Sequence, residues 1–221
     1  ILALIVTDPK SKESHFLQLL SFWEQGIWHA PLLVFTIQMM LMLVLGYSLA
    51  LSNLINKIIN KIIKYCNTSA NAAAIITLFT IIVSFLNWGL GLIFGAIFSR
   101  KVGEYASKKN IKMNYPLIGA AGYSGLMVWH GGISGSAPIK IAEDGHFLVK
   151  EMGVISLQET VFSSMNISIT ISLLIILPVM MYYLGKKSKS RNVSIKSENK
   201  IISKEIIGAE KLDHSSIIAF V

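Results

Sequence analysis

Charge is scarce in this chain. Only 14% of its 221 residues are Asp, Glu, Lys or Arg, while 53% are apolar, and the mean hydropathy is +0.59. A soluble domain carries about 25% charged and about 45–50% apolar residues. A water-soluble globular domain is therefore a poor fit, and long apolar runs are the feature to look for. Cysteine is nearly absent. The single Cys66 excludes an intrachain disulfide framework and a Cys-built metal site. Acid is scarcer than base, 12 residues against 20, for a net charge of +8. Such a surplus can mark nucleic-acid binding, so its position along the chain has to decide.

Four long stretches contain no Asp, Glu, Lys or Arg: Pro31–Ser52, Ala70–Ser99, Pro116–Ile139 and Val161–Leu184. A carboxylate proton relay cannot be built within them. They hold no His/Asp/Glu metal cluster and no Gly-x-Ser-x-Gly, so an intramembrane enzyme is not expected, and no cofactor is expected beyond a coupling ion. About 20 apolar residues cross the ~30 Å hydrocarbon core as a helix. Three stretches fit that length. As one helix, Ala70–Ser99 would be roughly 45 Å long and would have to tilt steeply.

Loop charges give the orientation, because cytoplasmic loops are enriched in Lys and Arg. Lys57, Lys61 and Lys64 occupy the loop after the first stretch. Arg100, Lys101, Lys108, Lys109 and Lys112, against Glu104, follow the second. Lys186, Lys187, Lys189 and Arg191 follow the fourth. The loops 7–30 and 140–160 are slightly acidic. Both ends of Ala70–Ser99 are thus basic, and simple alternation fails. It is restored if this stretch enters and leaves the membrane on the cytoplasmic side as a re-entrant hairpin. The positive charge is then accounted for by topology and lipid headgroups, and nucleic acid is not an expected partner.

A hairpin needs a turn in its middle. Asn87-Trp88-Gly89-Leu90-Gly91 supplies one: Gly costs about 1 kcal/mol in a helix interior, and Asn favours caps and turns. The competing reading is one long tilted helix with Gly91 and Gly95 as packing notches. Pro116–Ile139 is interrupted as well. Gly119, Gly122 and Gly125 recur along one helix face, as close packing requires. Then comes Trp129-His130-Gly131-Gly132-Ile133-Ser134-Gly135-Ser136-Ala137-Pro138, which cannot make a comfortable lipid-facing helix. Unwound backbone at membrane depth persists where protein buries it or water wets it.

Two successive interrupted segments point to a transporter site. Helix N-termini offer N–H groups and a positive dipole end to an anion, unwound carbonyls suit a coupling cation, and Ser134 and Ser136 add hydroxyls. His130 is the one side chain in the stretches that ordinarily titrates near neutrality. Asn166 and Gln38 are polar groups at membrane depth, for which helix–helix hydrogen bonding is the plainest role. The expected fold is all-α: a polytopic membrane domain over 31–184, with helix 31–52, re-entrant hairpin 70–99, broken helix 116–139 and helix 161–184. A basic cytoplasmic linker is expected over 185–216. Residues 1–6 read as the end of one further membrane helix and 217–221 as the start of another.

With these residues in view, the chain resembles the short-chain fatty acid transporter family. The resemblance rests on Phe22-Trp23…Gly26, Asn87-Trp88-Gly89-Leu90-Gly91, Tyr115-Pro116-Leu117, the segment Trp129 to Pro138, and Phe162-Ser163-Ser164-Met165-Asn166-Ile167, in order across roughly Phe22–Leu184. It implies uptake of short monocarboxylates such as acetoacetate or butyrate across a bacterial inner membrane, by a chain about twice this long. More distantly, the layout is similar to the ion transporter superfamily of secondary carriers. That likeness implies two inverted repeats, each with a re-entrant hairpin and a broken helix. It places Asn87, Trp88 and Gly89 at the hairpin tip and Gly131, Gly132, Ser134, Gly135 and Ser136 at the break; His130 and Asn166 are further candidates from the residues themselves. Asn87-Trp88-Gly89 departs from the Ser-Asn-Thr type of tip, and the coupling ion, Na+ or H+, is left open. The implied partners are a monocarboxylate, the bilayer and the second half of the same protein, with a homo-oligomer left open. The competing functions are a related carrier for dicarboxylates or amino acids, and a channel or non-transporting membrane scaffold.

Overall fold

The structure, a computed structural model, describes residues 14–195 together with Leu4, Val6 and Thr7. The expected helix end at 1–6 is covered only at Leu4 and Val6, both helical. The expected helix start at 217–221 lies outside the described residues.

Helix α1, His15–Ile27, occupies what the charge pattern marks as a loop. Phe16, Leu17, Leu20, Trp23 and Ile27 recur at helical spacing, with no Gly or Pro before Gly26. Its 13 residues are too few to cross a bilayer, so a search for membrane-length runs passes over it. Helix α2, Ala30–Ala50, starts with Pro31 in its first turn, where a missing N–H costs nothing. Helix α3, Asn53–Ile62, is capped by the Ser52 hydroxyl, which accepts from the Ile55 N–H. It packs Ile55, Ile59 and Ile62 on the core and leaves Leu54 and Ile58 exposed. Lys57 and Lys61 lie along its other side at i and i+4, and Lys64 follows in the tight turn Ile63–Tyr65.

The long uncharged stretch is two helices. Helix α4, Ser69–Leu86, and helix α5, Trp88–Lys109, are separated by Asn87, whose φ of −150° and ψ of 116° are extended rather than helical. The helices fold back on each other. A Cβ at Gly91 would fall on Ser84, at 2.6 Å from its Cα, and one at Gly95 would meet the Thr80 Cγ2 at 2.9 Å. The turn and the packing notches, alternatives in the sequence, therefore occur together. The second arm overruns the expected limit at Ser99 by ten residues, carrying Arg100, Lys101 and Glu104. Charge marks where a helix leaves an apolar environment, not where its backbone hydrogen bonds stop. At 1.5 Å per residue the arms are about 27 and 33 Å long. Asn110, in the left-handed region at φ 54°, ends α5, a place where Asn is tolerated.

Helix α6, Tyr115–Tyr123, passes into a tight helical turn at Ser124–Met127 and another at Trp129–Gly131. The chain then runs unwound through Gly132–Gly135 before the short helix α7, Ser136–Ile141. Gly122 and Gly125 pack as the spacing requires, Gly122 against Gly95 and Gly125 against Thr80 and Ser84. Gly119 departs from the expected common face: a Cβ there would have nothing within 4 Å and would point into open space. After helix α8, Val149–Met152, comes α9, Ser164–Lys187. It runs antiparallel to α4: Gly185 lies against Ala70 at one end, Leu177 packs with Ile81, and Asn166 reaches Gly131 at the other.

Ala72, Ala73, Ile76, Phe94, Phe98, Ile118 and Ala121 form the core between α4, α5 and α6. Ala30–Ala50, Ser69–Leu86 and Ser164–Lys187 are long and apolar enough to cross a membrane. Exposed Leu, Ile, Val and Met along α2 and α9 fit contact with lipid.

One end of the bundle gathers the three basic segments. β1, Lys112–Met113, pairs antiparallel with β2, Arg191–Asn192. The Ser69 and Ser190 hydroxyls lie 2.9 Å apart, and Ser69 also accepts from the Asn114 N–H at 2.8 Å. The basic linker expected from residue 185 thus begins by completing α9 to Lys187 and then docks back on the bundle. Its remainder, beyond residue 195, lies outside the described residues.

Candidate functional site

The hairpin tip and the broken segment meet. The Trp88 N–H, first in α5, donates to the Ser134 hydroxyl at 2.8 Å across 46 residues of sequence. The Ile133 N–H donates to the Phe85 carbonyl at 2.8 Å. A helix start and a helix end at the tip each leave backbone groups without intrahelical partners, and the unwound strand supplies them. Ser134 is only 6% exposed. Having accepted the Trp88 proton, its own O–H remains able to donate.

Asn87 caps α5. Its Oδ1 accepts from the Leu90 N–H at 2.8 Å, while its backbone carbonyl accepts from Gly91. Its side chain is half-buried at the tip. Gly89 is explained by packing: a Cβ there would meet the Met42 carbonyl at 3.1 Å. Opposite it, a Cβ on Gly46 of α2 would lie 2.6 Å from the Leu90 nitrogen. These two glycines let α2 and the tip approach backbone to backbone.

Across the break, Gly132 and Gly135 are needed for close approach. A Cβ at Gly132 would meet the Phe85 carbonyl at 2.6 Å, and one at Gly135 the His130 carbonyl at 2.5 Å. The Gly131 carbonyl accepts from the Asn166 side-chain amide at 2.8 Å, and that amide also donates to the Val161 carbonyl at 2.8 Å. Both donors of Asn166 are thereby committed to protein, which makes it a strut between the break and α9. Ser136 opens α7 and is half-buried; His130 is exposed. Trp88, Trp129 and His130 form an edge-to-face series, with ring centroids 5.1 Å apart for the first pair and 4.5 Å for the second. Gln38 is exposed on α2.

A cavity of about 230 Å3 lies beside this constellation, lined by Phe35, Met39, Trp88, Trp129, His130 and Ser136. Chemically it offers apolar and aromatic walls, one serine hydroxyl, an imidazole and the positive end of α5. Trp88, His130 and Ser136 are brought together on this cavity. Asn87 and Ser134 support its edge. Gly89, Gly131, Gly132 and Gly135 hold the backbone close behind it.

Phe35 and Met39 have no separate signal in the sequence, because nearly every residue around them on α2 is also apolar. A second group is legible in the sequence as a period but carries no site signal there. Thr77, Thr80 and Ser84 recur at i, i+3 and i+7 on α4 and are buried against α5 and α6. The Thr80 hydroxyl donates to the Ile76 carbonyl at 2.7 Å, and Ser99 to the Ile118 carbonyl at 3.0 Å. His146 is likewise buried, with its Nε2 2.8 Å from the Gly153 carbonyl, and organises the loop before α9.

The family model for the short chain fatty acid transporter matches residues 1–220. A protein of Escherichia coli (strain K12) that bears the provisional name short-chain fatty acid transporter is 30% identical over 213 residues, covering 93% of this chain and 47% of that protein. One of the same provisional name from Haemophilus influenzae (strain ATCC 51907 / DSM 11121 / KW20 / Rd) is 33% identical over 217 residues, covering 91% and 47%. The chain spans about half the length of the curated relatives it matches. No solved structure matches it. With helices that can cross a bilayer and a family match over nearly its whole length, this is a membrane protein that belongs to the short-chain fatty acid transporter family.

Proposed function

We propose that this chain forms one half of a secondary active transporter that takes up short monocarboxylates, of the acetoacetate and butyrate class, across a bacterial cytoplasmic membrane. The observation that carries the reading is the 2.8 Å contact between the hairpin tip and the break, from Trp88 N–H to Ser134 Oγ, beside a small cavity. Interrupted helices that converge on a cavity are a costly arrangement in a membrane, since each unsatisfied polar group there costs several kcal/mol. A ligand and water sharing that cavity offset the cost.

The chemistry on offer suits a small anion with an apolar tail. The N-terminal end of α5 carries partial positive charge, and the Ser134 hydroxyl bonded to it can donate to a carboxylate. Phe35, Met39, Trp88 and Trp129 accept the carbon chain. A dicarboxylate would call for a second cationic or amide clamp, and the cavity lining has none.

Orientation follows from the basic end of the bundle. The start of α4, the end of α5 and the end of α9 lie together there, with Lys57, Lys61, Lys64, Lys108, Lys109, Lys112, Lys186 and Lys187 on or beside them. We place this end in the cytoplasm, and the hairpin then enters and leaves from that side.

The test is uptake of labelled butyrate and acetoacetate by the complete protein in vesicles, with Na+ and proton gradients imposed separately. Saturable accumulation against the substrate gradient, driven by one of the two ions, is the expected result. Non-saturating flux that only equilibrates the label would make the protein a channel. Preference for dicarboxylates or amino acids would move it to another carrier class.

A further inference from the structure

A second, larger space adjoins the small cavity. It measures about 700 Å3 and is walled by Pro31, Leu32, Ile141, Phe147 and Leu148, nearly all apolar. Lys140 borders it, but its ammonium is held by Glu143 at 2.7 Å, so it does not present an uncompensated charge to a carboxylate. Two residues line both spaces: Phe35 on α2 and Ser136 on α7. Ser136 is the small polar member of the pair, and Phe35 is the large apolar one.

The backbone of α2 fixes where Phe35 stands along the tip. Phe35, Met39, Leu43 and Gly46 lie along one face of α2, at i, i+4, i+8 and i+11. The lower part of that face is fixed against the tip, where Gly46 meets Leu90 and Leu43 meets Gly89 backbone to backbone. The same face, continued upward, carries Met39 and then Phe35 to the aromatic wall of Trp88 and Trp129. A rigid helix thus sets the distance between the polar end of the small cavity and the Phe35 ring.

From this placement we infer that the small cavity takes the carbon chain of a monocarboxylate, and that Phe35 closes its far end and sets the longest chain accepted. The inference rests on the transporter reading above and names the residue that gives it chain-length specificity. A cavity of about 230 Å3 falls below the ~300–1,000 Å3 usual for drug-sized ligands, which fits a small acid. With the carboxylate at the tip end of the cavity, by the Trp88 start of α5 and the Ser134 hydroxyl bonded to it, the chain points along Met39 toward the junction where Phe35 and Ser136 stand. A longer chain would have to displace the ring. Removing the ring would join the small cavity to the larger apolar one and make room for extra methylenes.

The experiment compares uptake of butyrate, hexanoate and octanoate by the complete protein in vesicles, for the wild type, Phe35→Ala, Phe35→Leu and Phe35→Trp. One methylene in an apolar pocket is worth roughly tenfold or more in discrimination. Phe35→Ala should therefore raise the hexanoate-to-butyrate ratio of kcat/KM by about tenfold or more. Phe35→Leu, which keeps an apolar side chain and protects folding, should shift it the same way by less. Phe35→Trp should lower it. Unchanged ratios in variants that still take up butyrate would overturn the role of Phe35 and leave the transporter reading standing. A wild type with no saturable uptake of any of these acids would overturn that reading, and the role of Phe35 with it.

Discussion

At the scale of single residues, Asn87 holds two positions at once, and its two side-chain atoms separate them. Oδ1 accepts from the Leu90 N–H and so caps α5. An N-cap of this kind is worth about 1 kcal/mol. The amide nitrogen sits at the same tip and, on the transporter reading proposed above, is a further donor toward a carboxylate. Asn87→Ala removes both functions and should lower membrane abundance as well as transport. Asn87→Ser keeps a capping oxygen. It should restore abundance while KM for butyrate stays raised about tenfold, the effect of losing one hydrogen bond of about 1.5 kcal/mol to a charged group. Full recovery of KM in Asn87→Ser would reduce the residue to a cap. Ser134→Ala gives a different pattern, because it strands the half-buried Trp88 N–H at a cost of up to about 1–3 kcal/mol; abundance and transport should both fall. Cys66 is the quiet counterpart. Burial pushes its thiol up to about 12, so at neutral pH almost no thiolate exists to react. A maleimide at pH 7 should leave it unmodified in the folded protein and label it after denaturation; fast labelling of the folded form would contradict its burial.

At the scale of elements, the hairpin makes the sharpest statement. Single cysteines at Asn67 and Lys109, on a Cys66→Ser background, sit at exposed positions at the two ends of the α4–α5 pair. Ser69 would be a poor choice, since it is buried and holds the Asn114 N–H. In intact cells both cysteines should resist an impermeant thiol reagent and both should react in inverted vesicles. Labelling of one from each side would break the hairpin topology. The turn in this element is legible in the sequence because its signals are local: Asn87 and Gly89 act within one turn of helix, and basic residues flank both ends. The meeting of tip and break can be anticipated only as an energetic argument, that two interrupted segments gain by sharing one polar space. Which atoms meet is not legible. Trp88 contributes through its backbone N–H, which every residue but proline possesses, and Asn166 through an amide aimed at a carbonyl. Phe35 is hidden for a related reason: on a helix that is apolar all round, no residue type singles out the face turned to a cavity. Helix α1 escapes a criterion of membrane length, and the end of α5 escapes a criterion of charge.

At the scale of the whole molecule, the hairpin-tip end and the basic end are separated by the length of α4, about 27 Å for Ser69–Leu86. The basic end is closed by a clip rather than by helix packing alone. Arg191–Asn192 pairs with Lys112–Met113, Val193 packs on the core, and Ile195 lies over Gly103 of α5. This segment follows α9 and bridges it to the α5–α6 connection, so it ties together the two helices that flank α4. Its apolar anchors contribute to stability in proportion to the surface they bury, up to about 1.5–3 kcal/mol for a fully buried Val or Ile and less for these half-buried ones. The double substitution Val193→Ser with Ile195→Ser keeps the chain length and the lysines but removes the anchors. Its expected effect is a lower thermal stability of the detergent-solubilised protein by several degrees. Since additivity holds for sites far apart with no shared partners, KM for butyrate should stay within about twofold of wild type. A large rise in KM at normal abundance would mean that the clip governs the arrangement of the hairpin tip, and that the two ends of the bundle are coupled through α4 instead of acting independently.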